Sequence, residues 1–110
     1  LVDPYKELQF LDPGVRISRG FQEAWKDTAD QVLEQVKKAR EKYPDAAVIQ
    51  TGHSLGAAIG LLGSLHLKHN LNIDIETILF GLPRTGNKEV RNPIRHHCTS
   101  LPIEFLSTVR

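Results

Sequence analysis

Gly52-His53-Ser54-Leu55-Gly56 sets one serine between two glycines, the pattern G-x-S-x-G. A serine hydroxyl is a weak nucleophile on its own. It becomes useful when it is presented clear of the backbone, next to a base, with N–H donors aimed at the developing oxyanion. Such a pentapeptide arises by chance in about 4% of chains this long, so the flanking elements must carry the assignment. A strand has to precede it and a helix has to follow. On so sharp a reversal the serine is forced to φ > 0, and the residues two before and two after it approach each other. Gly52 and Gly56 supply the small side chains that this approach needs. Ser54 Oγ then stands at the C-terminal edge of a sheet. The Leu55 N–H, first in the following helix, points into the same space as an oxyanion donor, and one such donor is typically worth about 10²–10³ in rate. The competing reading is a loop serine that happens to precede a helix.

The elements required on either side are both present in the sequence. AAVIQTG, residues 46–52, is a short apolar run rich in β-branched residues and reads as a buried strand. From Leu55 to about His69 the chain is apolar on most sides, which predicts a central helix. Its small residues, Gly56, Ala57, Gly60, Gly63 and Ser64, make sense if it packs very close to a sheet. Two interior glycines would otherwise cost about 1 kcal/mol each. Upstream, residues 21–43 carry apolar side chains near a 3.6 period, with acidic residues early, basic residues late and Pro44 as the stop. Trp25 lies on that apolar face and reads as core. IETILFG, residues 75–81, is a second buried strand, and VRIS, residues 15–18, reads as a strand end. The stretch before it, with two prolines and a glycine, reads as surface loop. The order strand, helix, strand, helix, strand without tight hairpins predicts an α/β fold with a mostly parallel sheet.

Other residue types are less informative. His53 adjoins Ser54 on a strand, where neighbours point to opposite sides, so it reads as a packing histidine and not as the base. His66 and His69 lie roughly 18–22 Å along the helix from the serine and read as surface residues. The Lys37–Lys42 run suits a solvated helix end. Cys98 is the sole cysteine and has no metal-ligand spacing around it, so no metal or cofactor is expected. A net charge of +1 argues against a nucleic-acid partner. No apolar run approaches the length of a membrane span. LVDPYKELQF lacks the basic and apolar regions of a secretory leader, and the absence of methionine suggests a piece of a longer product.

Together, RGFQEAW ahead of a long helix, TGHSLGAA, and ILFGLPRTGNKE resemble the fungal-type class 3 lipases, relatives of triacylglycerol lipases and feruloyl esterases. The likeness is strongest over residues 15–89 of a single domain spanning 1–110. It implies a partial α/β-hydrolase fold, a three-layer sandwich fragment, with Ser54 as nucleophile and Leu55 N–H in the oxyanion hole. The implied substrate is a carboxylic ester, often a lipid, met in the full-length parent at a lipid–water interface, and secretion is compatible with it. Arg84, after the second strand, is expected to brace structure.

In such folds the triad runs Ser, Asp, His. Here the sequence departs from the family pattern after Glu89, with Pro93 interrupting an expected helix, and residues 90–110 read as a divergent tail. Asp74 is the only aspartate after Ser54, and it sits at the wrong end of its strand. His96 and His97 follow in the right order without a defined geometry. Two functions therefore stand side by side: an ester hydrolase built on Ser54, and a catalytically incompetent fragment of that family lacking the acid and base. A flavodoxin-like anion-binding domain would need more glycines and hydroxyls in the turn than GHS offers.

Overall fold

The computed structural model describes residues 1–90. Two strands run side by side in parallel. β1 is Val48–His53 and β2 is Ile75–Phe80, in a register that pairs Val48 with Ile75 and His53 with Phe80. Two parallel strands need a crossover between them, and α2, Leu55–Leu71, supplies it. α1, Arg19–Lys42, precedes β1. α1 starts two residues before its expected bound and ends one residue short of it, and α2 runs two residues longer than expected. α2 ends at Asn72, which takes the left-handed conformation (φ 51°, ψ 48°) common at a helix C-terminus.

Alternation along the strands divides the sheet into two faces. One face meets α2 and carries Ile75, Thr77 and Leu79, all buried. The other exposes Ile49, Thr51 and His53 of β1 and Glu76 and Phe80 of β2. The layers in order are thus sheet, α2 and α1, all on one side of the sheet among the described residues. VRIS does not enter this sheet. Ile17 makes two isolated antiparallel bridges, to Val2 and to Gly86, so the expected first strand is reduced to one bridging residue.

α2 is central because it has no polar side to give to water. From Ala57 to Leu67 every residue but Ile59 is buried. Its glycines admit close neighbours: a Cβ on Gly63 would lie 3.0 Å from the Trp25 ring and 3.1 Å from Gln50 Nε2, and one on Gly60 would lie 3.2 Å from that same amide. Gln50, Ser64 and Thr77 then join β1, α2 and β2 through a buried polar contact. Ser64 Oγ donates to Gln50 Oε1 at 2.7 Å and lies 2.7 Å from Thr77 Oγ1, from which it must accept, since its one proton is spent. Around this lies the main apolar cluster of Leu8, Leu11, Val15, Ile17, Trp25, Ala29, Leu62, Leu65 and Val90. Trp25 is core, as its position on the α1 face predicts.

Candidate active site: the Ser54 elbow

Ser54 joins the end of β1 to the start of α2. Its backbone sits at φ 53°, ψ −117°, and only one other non-glycine residue among those described, Asn72, has a positive φ. A conformation so sparsely populated costs on the order of 1–3 kcal/mol and persists only where its surroundings enforce it. They do so from both sides. Ser54 N–H donates to the Phe80 carbonyl at 2.9 Å, carrying the parallel ladder one residue past β1. The Ser54 carbonyl accepts from the N–H groups of Ala57 (3.0 Å) and Ala58 (3.2 Å), starting α2. The reversal is sharp enough that a Cβ on Gly52 would lie 2.4 Å from the Gly56 carbonyl oxygen and 2.9 Å from Ala57 N. Only glycine fits at 52.

The steric requirement is one-sided. A Cβ on Gly56 would meet nothing within 4 Å. The close approach is made by the backbone of Gly56 against the α-carbon of Gly52, so the small side chain expected at both positions is needed at one.

Ser54 is exposed, and among the described residues no side chain hydrogen-bonds its Oγ. Leu55 and Gly56 are the first residues of α2, whose N–H groups have no intrahelical acceptor. They lie at the positive end of the helix dipole, beside the serine. The turn thus combines an exposed hydroxyl, helix N–H groups without intrahelical acceptors beside it, and a backbone held in place from both sides.

The remaining sequence candidates fall in separate places. His53 is exposed, with its Nε2 3.5 Å from where a Cβ on Gly81 would stand; it flanks the elbow on the outer side of the sheet and is not packed into the core. Asp74 precedes β2 at the end of the sheet away from Ser54, where it accepts a bond from Lys68 Nζ at 3.3 Å. His69 is exposed and stacks on Phe10, with ring centroids 3.8 Å apart. His66 is a correction. It is no surface residue but is 1% exposed, enclosed by Trp25 and by the segment ahead of α1. An all-apolar helix gives no face by which to place one histidine, and distant chain covers it. His96, His97, Pro93 and Cys98 lie outside the described residues.

Arg84 is exposed and bonds the Gly86 carbonyl through Nε at 3.3 Å, so it stiffens its own turn. The rest of the PRTGN segment clasps the loop before α1. Asn87 Nδ2 donates to the Gly14 carbonyl (2.8 Å), Asn87 Oδ1 accepts from Arg16 N–H (3.0 Å), and Ser18 N–H donates to the Thr85 carbonyl (2.7 Å). Gly86 must be glycine, since a Cβ there would fall 2.4 Å from the Arg16 carbonyl oxygen. Asn87 and Gly86 are the structural residues that sequence reasoning passed over, although both stand in the quoted motif. Among the described residues no cluster of His, Cys, Asp and Glu could hold a metal ion, and no helix is long and apolar enough to cross a membrane.

A parallel β-strand, a strained serine turn and a crossover helix define part of an α/β-hydrolase fold, and solved structures share it. The chain superposes on the Rhizomucor miehei lipase of the native propeptide complex with a TM-score of 0.73 and 26% identity, over 78% of this chain and 29% of that one. It is also similar (TM-score 0.70, 27% identity, 82% of this chain and 36% of that one) to a triacylglycerol lipase described as having a serine protease triad as its catalytic centre. In sequence it is 42% identical over 95 residues to the secreted mono- and diacylglycerol lipase MDL3 of Malassezia globosa, which covers 83% of this chain and 31% of that protein. The family described as lipase (class 3) matches residues 1–109, and the chain belongs to that family. It spans about a third of the length of the curated relatives it matches.

Proposed function

We propose that this chain carries the nucleophile of a carboxylic ester hydrolase acting on lipid esters, and that Ser54 is that nucleophile. The observation that carries the reading is the conformation of Ser54: exposed, at φ 53°, beside helix N-terminal amides that have no intrahelical acceptor. In the reaction Ser54 Oγ adds to the ester carbonyl, and the Leu55 N–H donates to the oxyanion. The proton that Ser54 gives up on attack ends on the departing alcohol, and water then cleaves the acyl-enzyme, releasing the carboxylic acid and restoring the Ser54 hydroxyl. Gly52 holds the turn closed and His53 flanks it. Acylglycerols with one or two acyl chains are the substrate class supported by the names of the Malassezia relatives, which are called secreted mono- and diacylglycerol lipases. Secretion of the protein is proposed on the same basis.

The test is hydrolysis of p-nitrophenyl esters of short and long acyl chains by the purified chain, with Ser54→Ala as the control. Turnover above background that disappears in the variant supports the reading. Equal rates for the two proteins remove it.

A further inference from the structure

Three elements meet at the His66 imidazole. It projects from α2 and is 1% exposed. From α1, Trp25 Nε1–H donates to its Nδ1 at 3.1 Å. From the N-terminal segment, the Tyr5 hydroxyl stands 3.3 Å from the same nitrogen. An indole N–H can only donate, so Nδ1 is the unprotonated nitrogen and the Tyr5 hydroxyl must donate to it as well. The proton of neutral His66 is then on Nε2, which is buried and has no hydrogen-bond partner among the described residues. Both rings meet the imidazole edge-on, with centroids 5.6 Å (Trp25) and 6.3 Å (Tyr5) away.

This arrangement favours the neutral ring. A proton on Nδ1 would face the indole N–H, which can only donate, so the Trp25 bond would break and the Tyr5 hydroxyl would have to turn from donor to acceptor. It would also leave a buried imidazolium whose Nε2–H has no acceptor among the described residues, and a buried charge so poorly paired is costly. The charges around it are divided. Glu7, in the short 3-10 turn Lys6–Leu8, and Asp30 of α1 favour the charged ring, while His69, one turn along α2, opposes it. Lys26 of α1 stands 5.5 Å from the centre of the Tyr5 ring. Burial is the largest influence and pushes the His66 pKa below its ordinary 6.5. Burial likewise raises Tyr5, to about 12, so its hydroxyl stays a donor at any working pH.

The part able to yield is the segment of residues 1–11. Besides the Val2–Ile17 bridge, its ties to the body include Tyr5 N–H to Gln22 Oε1 (3.1 Å), Gln22 Nε2 to the Asp3 carbonyl (3.2 Å), the Tyr5–His66 bond, Arg16 to the Leu1 carbonyl (3.1 Å) and to Asp3 (3.5 Å), the Phe10–His69 stack, and the packing of Leu8 and Leu11. Trp25 and α2, by contrast, are held by the core on several sides.

We infer that His66 is an acid-sensitive latch: proton uptake on its imidazole releases residues 1–11 from α1 and α2 while β1, α2 and β2 stay folded. Released, the segment admits water to the ring and uncovers the apolar surface under Leu8 and Leu11. The latch does not depend on Ser54 being a nucleophile.

Amide hydrogen exchange of the full chain from pH 8 to pH 4, corrected for the intrinsic pH dependence of exchange, tests it. Protection of residues 1–11 should fall by about tenfold or more at a pH where β1, α2 and β2 keep theirs. Trp25, the only tryptophan, should report the same step in its emission. His66→Gln leaves an acceptor for the indole but nothing to titrate, and should erase the step. Should that variant fail to fold, His66→Asn, a shorter amide with nothing to titrate, should likewise erase the step. Protection lost throughout the chain at a single pH, no loss over the range, or the same step in His66→Gln or His66→Asn would each overturn the latch.

Discussion

Ser54 and Ser64 are ten residues apart on one continuous strand–helix unit, and they have opposite surroundings. Ser64 is buried and committed: it gives its proton to Gln50 and accepts from Thr77, and its helix is regular. Ser54 is exposed, has no side-chain partner among the described residues, and occupies a backbone conformation its neighbours impose. The same hydroxyl is a structural rivet in one place and, in the other, an exposed group that we propose as a nucleophile. Stability is invested in the middle of α2, and strain is held at its N-terminal tip, where the packed middle supports it.

Substitutions can break or sharpen that contrast. The largest effect is expected in the middle of α2. Leu65→Ala, which opens a cavity beside Trp25 and Leu62, should cost about 2–5 kcal/mol in denaturant unfolding. Next is Gly52→Ala, whose methyl group cannot stand where the Gly56 carbonyl lies. Forcing the turn apart should cost about 1–3 kcal/mol and displace Ser54 enough to lose its reactivity. Ser64→Ala leaves Gln50 Oε1 and Thr77 Oγ1 without their shared partner, and should cost roughly 1–2 kcal/mol by the same measurement. Smallest is Ser54→Ala, which removes an exposed hydroxyl with no bond to lose and should change stability by less than about 0.5 kcal/mol. If the two serine substitutions cost the same, the contrast fails.

Acidity adds a further check on the packed region. Folding lowers the pKa of His66, so its contribution to stability is complete above the ordinary 6.5 and is lost as pH falls through the depressed value. Urea midpoints should therefore decline on the acid side more steeply for the native chain than for His66→Gln.

The elbow was legible in the sequence because its constraints are local. A β-branched run, one serine, a glycine two residues before it and a helical run after it fix a turn within a dozen residues. The parallel pairing of β1 and β2 followed from the helix between them. Other features depend on distant chain and left no local signal. Whether His66 is inside or outside is decided by Tyr5 and Trp25, at separations of 61 and 41 residues. Ile17 reads as part of a strand because it is apolar and β-branched, yet single bridges to Val2 and Gly86 use those properties equally well. Asn87 bridges Gly14 and Arg16 through side-chain bonds to backbone, which no periodicity announces. Gly56 shows the reverse error, a motif residue credited with a clearance that only Gly52 requires.

The central claim is that the Ser54 hydroxyl is an activated nucleophile, and covalent labelling reads it most directly. The intact chain would be treated with a fluorophosphonate probe and the modified residue located by peptide mass spectrometry. The expected result is a single phosphonylated site at Ser54, formed faster than on free serine and absent from Ser54→Ala. A chain that stays unlabelled, or that carries the probe equally in Ser54→Ala, would contradict it.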